Sequence, residues 1–431
     1  MRVKILAFLV LFTCSAFAQG GSNSVYSQFG LGILYPHQFG QSFGMGNTGI
    51  AMNSSTNLNL FNPAALGNLK YVTFDVNAVS NSVSAKDGVN DPASYTDASL
   101  GTIGVGVPLL KGWGAMAGLT PFASMGYRVK RTIADPILGI VNDYHHGAGG
   151  LNSVFIGTGY QYKNFSVGGK MNYVFGTIMR EKLRVLDTAF TNSYVENQYG
   201  FSNLTFDFGA QYQLPVNDNL SFTLGAIYGL QQMMNVSSTE LQVSTSQNVL
   251  VDVMYSGNVK NVVYDNSGSP DRITVKYPSY FGAGLTMNYK EKVIVTADYK
   301  QQEWSNTGLI NGASAALGRS INVGAQYVPN ASAVGNENYQ KRVAYRCGLR
   351  YGNLPLMVNG SAINDFGLSL GMGFPLRKLK FERELFGSYI NLGFEIGRRG
   401  SLSNGLVQED YYKFNLGFTF NDKWFIKRKL D

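Results

Sequence analysis

Alternation of apolar and polar residues recurs along this chain between residues 71 and 420. From Thr205 to Leu214, for example, aromatic and aliphatic residues take the even positions, while Asp207, Gly209 and Gln211 lie between them. A period of two is typical of a β-strand with two different faces. The pattern predicts fourteen strands, near residues 71–84, 98–109, 113–130, 151–162, 165–178, 200–214, 220–232, 272–289, 293–304, 320–328, 341–353, 363–375, 388–398 and 411–420.

The two faces of these strands differ in a way that indicates a membrane barrel. One face is apolar with Tyr and Phe near strand ends, and the other carries Gly, Ser, Thr, Asn, Gln and a few charges. The polar face of a soluble sandwich would be richer in Lys and Glu, and Gly weakens ordinary strands. In a transmembrane barrel the apolar face meets lipid and the other lines a lumen. We therefore predict an all-β fold, a transmembrane antiparallel β-barrel of about 14 strands with an N-terminal plug.

The connections between the strands alternate in length. Short turns at one membrane face and long loops at the outer face are the usual pattern of bacterial barrels. The longest connection, 233–271, is β-like at residues 248–255 and is predicted to form an extra hairpin above the membrane. The predicted short turns are 110–112, 163–164, 215–219 and 290–292, and the predicted outer loops are 85–97, 131–150, 179–199, 233–271 and 305–319.

The first residues have the organisation of a signal peptide. A positive start with Arg2 and Lys4 precedes an apolar run, and Ala16-Phe17-Ala18 is a suitable cleavage site. The apolar run is shorter than the ~20 residues that a membrane-spanning helix needs. We predict a signal peptide at 1–18, an N-terminal extension and lumenal plug at 19–70, a transmembrane barrel at 71–420 and a basic periplasmic tail at 421–431.

Composition agrees with a barrel in the cell outer membrane. Charged residues make up 14% of the chain, whereas soluble domains average roughly 25%. Mean hydropathy is −0.06, which excludes a protein made of membrane helices. The formal net charge of +8 is partly concentrated at the C-terminus, but no nucleic-acid-binding motif accompanies it. The expected partners are outer-membrane lipid, a hydrophobic small-molecule ligand and an outer-membrane protein partner, and not nucleic acid.

A stretch without β-alternation, Gln38–Leu66, precedes the strands. It is Gly-rich at first and ends in Asn62-Pro63-Ala64, which indicates a compact, turn-rich plug. Its apolar residues either form a ligand pocket or pack the plug against the wall, and the second interpretation is at least as well supported. The candidate pocket residues are Phe43, Met45, Ile50, Met52, Leu58, Leu60 and Phe61, and the plug motif comprises Gly44, Gly46, Gly49, Asn62, Pro63 and Ala64.

Several ionisable residues fall on the predicted lumenal face. They either bind a ligand carboxylate, hold the plug, or pair with one another, and pairing is the favoured interpretation. Arg346 and Arg350 share one face and are candidates for a bidentate carboxylate clamp. The predicted lumenal charges are Lys170, Asp207, Asp298, Lys300, Arg346, Arg350 and Glu395.

Neither a metal site nor an enzyme active site is predicted. His145-His146 lies with Asp143 in a predicted Gly-rich outer loop, but no further ligands are spaced for closure around a metal. No nucleophile-elbow, P-loop or dinucleotide motif occurs in a strand–helix context. The sequence therefore predicts a protein that is not an enzyme and needs no cofactor.

Two motifs carry a resemblance to a known family. Gly44–Ala51 reads G-M-G-N-T-G-I-A, and Phe61–Ala65 reads F-N-P-A-A ahead of the predicted strands. This order resembles the FadL-type outer-membrane transporters of hydrophobic compounds, and the closing run from Phe418 is similar to members from Bacteroidota. The resemblance implies a plugged lumen and a ligand path that leaves through a lateral opening in the wall. Residues 20–37 depart from the family pattern, because they precede the usual start of the plug.

Two functions follow as hypotheses. The first is passive uptake of hydrophobic, fatty-acid-like small molecules through the plugged lumen. The second is a non-transporting barrel that serves as a subunit or scaffold of an outer-membrane protein assembly or secretion complex. The basic tail, with Trp424 and Phe425, favours the second hypothesis.

Overall fold

The computed structural model describes residues 24–35, 39–186, 191–246, 261–304, 314–331, 333, 336–381 and 384–423. These residues form a single closed antiparallel barrel of fourteen strands, which confirms the predicted fold class. The predicted signal peptide, the residues after Lys423 and the β-like part of the predicted extra hairpin, 248–255, lie outside the described residues. In the described part of the chain, no helix has both the length and the apolar character needed to cross a membrane.

Three of the fourteen strands, β3, β7 and β8, are interrupted within their length, and β10 begins with a two-residue segment. The interruptions lie toward the outer end of the barrel. The strands are β1 Val72–Lys86, β2 Ala93–Leu110, β3 Trp113–Ser124 with Tyr127–Asp135, β4 Gly139–Tyr162, β5 Phe165–Leu186, β6 Thr191–Asn217, β7 Leu220–Gly229 with Gln232–Ser246, β8 Asn261–Asp265 with Asp271–Tyr277 and Tyr280–Tyr289, β9 Val293–Glu303, β10 Ser314–Ala315 with Leu317–Tyr327, β11 Ala344–Val358, β12 Ser361–Phe381, β13 Glu384–Arg399 and β14 Gln408–Asp422.

The barrel closes through the pairing of its first and last strands. β1 and β14 run antiparallel in continuous register, from Val72 opposite Asp422 to Lys86 opposite Gln408. The start of β1 and the end of β14 therefore both lie on the side of the short turns, which is the periplasmic side in bacterial barrels. The widest periplasmic connection, between β10 and β11, contains a 3-10 helix at Asn336–Arg342.

The apolar strand faces point outward, as the sequence predicts. In β6, Phe208 is 48% exposed, whereas the neighbouring Asp207 is 7% exposed. The same alternation holds in β12, where Leu370 is exposed and Ser369 is buried. An exposed apolar band around a closed barrel is the surface that meets acyl chains. The protein is therefore an integral barrel of the outer membrane.

The predicted outer loops 85–97, 131–150 and 179–199 are wrong, because most of their residues belong to strands, whereas 233–271 carries the predicted extra hairpin, with residues 241–244 paired to residues 261–265. β4, β5 and β6 contain 24, 22 and 27 residues, although a tilted strand crosses the membrane in ~9–11 residues. Adjacent strands keep their hydrogen-bond ladders beyond the lipid, so residues 139–150 and 179–186 extend the wall outward. The described residues of segments 131–150, 179–199 and 233–271 thus form a raised β-wall.

β12 and β13 also extend beyond their predicted ends, but toward the periplasm. They pair from Arg377 opposite Ser388 to Phe381 opposite Glu384, whereas β11 begins only at Ala344, opposite Gly373. A two-stranded ribbon therefore projects below the other periplasmic turns. Its two edges have no strand partner among the described residues.

The lumenal face is not polar throughout, which corrects a second expectation. In the outer half, inward residues of β3 to β8 form an apolar cluster with Leu31 of the N-terminal segment. Leu34 packs against the same cluster. Burial of these side chains against the wall explains why residues before the Gly-rich stretch are ordered inside the barrel. The cluster includes Phe122, Leu151, Val174, Phe201, Met234, Tyr277 and Trp304.

Candidate functional site

The N-terminal segment 24–35 lies inside the outer half of the barrel. Ser24 donates from Oγ to the Glu409 carboxylate at 2.8 Å, and the Val25 N–H donates to the same group at 2.8 Å. Ile33 and Leu34 form a short strand opposite Ser124 and Ala123 of β3. The segment is therefore fixed to two distant parts of the wall.

This segment also covers the interruption in β3 at residues 125–126. The Ser24 N–H donates to the Gly126 carbonyl at 3.1 Å, and the Gly126 N–H donates to Ser27 Oγ at 3.1 Å. The Met125 N–H donates to the Gly149 carbonyl of β4 at 2.9 Å. The backbone groups that the interruption frees are thus satisfied, and the wall is closed there.

The Gly-rich stretch of the plug packs backbone to backbone on glycines of the wall. A Cβ atom added at Gly371 would lie 2.8 Å from the Gly44 Cα, and one at Gly348 would lie 2.1 Å from the Gly46 nitrogen. Gly46 also has φ of +67°, a conformation that glycine adopts without strain. The glycines of the plug and the glycines on the lumenal strand faces therefore contact each other directly.

Asn62 and Pro63 fix the opposite end of the plug near the periplasmic turns. Asn62 Nδ2 donates to the Ile50 carbonyl at 2.8 Å and to the Ala210 carbonyl at 3.2 Å. Its Oδ1 accepts from the Ala64 N–H and caps the 3-10 helix Pro63–Asn68. The Asn-Pro-Ala element therefore joins two plug segments to β6.

The apolar residues predicted as a pocket face the wall more than each other. Phe43 and Met45 are fully buried, and Leu58 and Leu60 pack with Met116 and Phe155 of the wall. Ile50 packs on Ile227 and Tyr280, and Met52, Leu58, Leu60 and Phe61 border a void of about 30 Å³. A void of this size holds about one water molecule. A ligand-binding role for the seven residues stays a prediction.

Lys170 and Asp298 hold the plug to the wall. Lys170 Nζ donates to the Leu60 carbonyl at 3.1 Å and pairs with Asp207 at 3.1 Å. Asp298 Oδ2 accepts from the N–H groups of Gly49 and Ile50, at 2.6 and 3.0 Å. Lys170 and Asp298 thus both satisfy backbone groups of the plug, which has little regular secondary structure of its own.

Arg346 and Arg350 do not form the joint clamp that their spacing suggested. Arg346 donates to Gln326 and Asn391, at 2.8 Å each, near the plug. Arg350 pairs with Asp365 at 3.2 Å and with Glu395 at 3.1 Å, nearer the outer mouth. The two guanidinium groups are committed to separate partners, because residues four apart on a strand are too far apart to share one.

A buried ion network at the outer mouth joins β11 to β14 and reaches the N-terminal segment. Asp365 accepts from Arg399 at 3.0 Å, Glu395 pairs with Lys413 at 3.0 Å, and Glu409 pairs with Arg399 at 3.4 Å. The Tyr411 hydroxyl donates to Asp365 at 2.7 Å. The sequence analysis identified only Arg350 and Glu395 here. The others share the lumenal parity of their strands. Asp365, Tyr411 and Lys413 lie inside the predicted strands, and extending the alternation by one or two residues would have added Arg399 and Glu409.

A chamber of about 290 Å³, lined by both apolar and charged side chains, lies between the N-terminal segment and the plug. Tyr35 borders it from the segment, Asn47 and Phe61 border it from the plug, and strands around the barrel supply the rest of its wall. Charged side chains in the lining include Lys170, Lys300, Arg350, Arg399, Lys413, Asp97 and Asp365.

His145 and His146 lie on β4 rather than in a loop, which corrects the prediction for residues 143–150. Neighbouring strand residues point to opposite faces, and His146 Nδ1 contacts the Glu181 carboxylate. In the part of the chain that the structure describes, no three His, Cys, Asp or Glu side chains are grouped as metal ligands.

The Asp143–Arg184 pair in the outer wall should make this wall sensitive to acid. Arg184 donates to both carboxylate oxygens, at 2.7 and 2.8 Å, and these bonds hold the pKa of Asp143 below its ordinary value. A pKa lowered on folding gives stability above the unfolded value of ~3.9 that is lost as pH falls further. Because Arg184 is 44% exposed, the effect should be within ~1 kcal/mol. Local amide exchange of residues 139–146 should rise faster below pH 4 in the wild type than in Asp143→Asn, and equal pH profiles would contradict this assignment.

Comparison with solved structures identifies the fold. A Pseudomonas aeruginosa FadL homologue matches with a TM-score of 0.59 at 12% identity, covering 91% of this chain and 99% of its own. The toluene transporter TodX of P. putida matches with 0.57 at 14% identity, covering 89% and 98%. The Ralstonia pickettii toluene transporter TbuX matches with 0.54 at 13% identity, covering 90% and 98%. At these identities the likeness shows a FadL-like barrel.

Sequence comparison gives the family. No curated protein matches this chain significantly. A family model described as BamG matches residues 1–431, which is the whole sequence. The chain belongs to the BamG family.

Proposed function

We propose that this protein is a non-transporting barrel that serves as a subunit or scaffold of an outer-membrane protein assembly. The observation that carries the proposal is the lumen, which the plug and the N-terminal segment fill. A passage for hydrophobic compounds needs a connected apolar path, and ligand sites usually measure about 300–1,000 Å³. The chamber between the N-terminal segment and the plug is about 290 Å³ and is bordered by charged side chains. A hydrocarbon that passes these buried charged groups offers them no hydrogen bonds in place of water, which is unfavourable.

The way the plug is held also supports a static barrel. Opening a path would separate Asp298 from two backbone N–H groups and Lys170 from a backbone carbonyl. It would also separate Ser24 and Val25 from Glu409. Each buried polar group left without a partner costs roughly 1–3 kcal/mol. These contacts are distributed from the outer mouth to the periplasmic turns, so no single local movement releases the plug.

Surfaces beyond the membrane are where an assembly would be built. The raised wall of β3 to β8 stands on the outer side, and the ribbon of β12 and β13 projects into the periplasm. Unpaired strand edges are templates for pairing with another chain. The basic tail at 421–431, predicted from the sequence, would lie on the same side as the ribbon.

The proposal is tested by co-purification and conductance of the full chain at native expression levels. We expect a partner at fixed stoichiometry, lost when residues 376–387 are replaced by a two-residue turn, and no conductance in planar bilayers. A matched shortening of the outer connection 87–92 controls for general damage to the barrel. Saturable uptake of a fatty acid or of toluene, without any stoichiometric partner, would overturn the scaffold assignment.

Passive uptake of hydrophobic compounds is the second candidate. It is favoured by the fold and by an apolar void of about 60 Å³ near the outer mouth, bordered by Leu31, Trp304 and Leu354. Widening this void would require Leu31 and the rest of the N-terminal segment to move. A lateral exit would further require the interruption in β3 to lose the bonds to Ser24 and Ser27. Deleting residues 24–35 should then increase uptake in this candidate, whereas the scaffold role predicts no gain of uptake.

A further inference from the structure

Two cations that border the lumenal chamber, Lys300 and Arg319, have no carboxylate partner among the described residues, and of the two only Lys300 is shielded from solvent, because Arg319 is exposed. Arg350, Arg399 and Lys413 are paired with Asp365, Glu395 and Glu409, and Lys170 is paired with Asp207. Among the residues that the structure describes, no carboxylate lies within 4.0 Å of Lys300 Nζ.

Lys300 is held in place by an aromatic ring. Its Nζ lies 4.2 Å from the centre of the Tyr280 ring, a cation–π distance. The Tyr280 hydroxyl donates to Asp207 at 2.6 Å, so the orientation of the ring is fixed. Asp207 also accepts from Asn172 and pairs with Lys170. The nearby carboxylate is therefore committed to other donors, while the ammonium group of Lys300 borders the chamber.

Two further polar groups lie beside Lys300 on the same wall. Gln302 is two residues along β9 on the same face, and its buried side chain interacts with Tyr277, although its Nε2 has no acceptor at full hydrogen-bond geometry among the described residues. Ser320 stands opposite Lys300 on β10, and Gly318 stands opposite Gln302. All four border the chamber. An ammonium, an amide N–H and a hydroxyl that face one void are the donors that an oxyanion requires.

We propose that Lys300, Gln302 and Ser320 form a binding site for a small oxyanion, a carboxylate or a phosphate, in the lumenal chamber. The ammonium group supplies the charge, and the amide and hydroxyl supply directed hydrogen bonds. The anion would balance the charge of Lys300 and accept a hydrogen bond from Gln302 Nε2. The site does not depend on the proposed scaffold function, because a closed barrel and a transporter could both contain it.

Binding is measured on the full-length processed protein in detergent at pH 7 and constant ionic strength. Inorganic phosphate or acetate, compared with chloride, should raise the midpoint of thermal unfolding in a saturable way, since a ligand of the native state stabilises it. Isothermal titration gives the affinity directly. Lys300→Met should weaken binding about tenfold or more, because it removes a charged hydrogen-bond donor. Lys292→Met, in an exposed periplasmic turn, should bind as the wild type does.

A second variant and a longer anion make the result decisive. Gln302→Leu should weaken binding of the oxyanion while keeping the charge of Lys300. Hexanoate distinguishes the sources of a carboxylate: affinity equal to that of acetate indicates a free small anion, and much tighter binding indicates the head of an amphiphile. Absence of saturable binding by either anion would overturn the proposal, as would equal affinities in the wild type and in folded Lys300→Met.

Discussion

Gly348→Leu should prevent the plug from docking in the barrel. A Cβ atom at residue 348 would lie 2.1 Å from the Gly46 nitrogen and 2.3 Å from the Met45 carbonyl carbon. Both are backbone atoms, so the clash cannot be relieved by rotating a side chain. The variant should therefore either assemble with a displaced plug or fail to assemble. Bilayer conductance and the heat-modifiable gel mobility of the folded barrel separate these two outcomes.

Gly268→Leu is the matched control for this clash. A Cβ atom at Gly268, in the outer turn between Asp265 and Asp271, meets nothing within 4 Å. The control should keep the wild-type unfolding midpoint and stay without conductance. A folded Gly348→Leu protein with the wild-type midpoint and no conductance would show that the plug does not pack on β11 as described here.

Asp298→Ala should destabilise the plug without a steric clash. It removes the oxygen that accepts from the N–H groups of Gly49 and Ile50, and both N–H groups lie in buried residues. Two unsatisfied buried donors cost about 2–5 kcal/mol together. Hydrogen exchange of residues 44–52, read by mass spectrometry, should increase strongly, while exchange in the barrel strands should change little.

Asp298→Asn separates the role of the acceptor from that of the charge. An amide oxygen placed where Oδ2 lies would still accept from both N–H groups, and its nitrogen would replace Oδ1, which has no partner among the described residues. Exchange in residues 44–52 should then stay close to that of the wild type. If the Asn and Ala variants exchange equally fast, the charge itself, rather than the two hydrogen bonds, holds the plug.

The predicted strands were most accurate where the chain meets lipid. In β12, alternation from Phe366 to Phe374 follows directly from a wall with lipid on one side and a lumen on the other. Above the membrane there is no lipid on one side to impose alternation. Residues 143–150 were therefore wrongly predicted as a loop, because Gly and His suggest one. They remain in a strand because β5 continues to pair with them. Local composition cannot report a partner that is supplied by another part of the chain.

In the candidate site, too, some features were visible in the local sequence and others depended on distant parts of the chain. The Gly-rich and Asn-Pro-Ala elements are visible in the sequence, because close backbone approach and a capped turn require those residue types. Arg346 and Arg350 were joined in one clamp because they share a face, whereas the positions of Asn391 and Asp365 separate them. The network through Arg399 and Glu409 was missed because it links strand ends with Ser24, 385 residues away from Glu409.

The sequence by itself determined that this chain is an outward-apolar barrel with a glycine-rich plug, since alternation and composition act residue by residue. Only the tertiary structure decided which lumenal charges are paired, that Lys300 is left without a carboxylate, and that the N-terminal segment covers the interruption in β3. Those outcomes depend on the register between strands far apart in sequence, because a shift of one residue would exchange the lumenal and lipid-facing side chains of a strand.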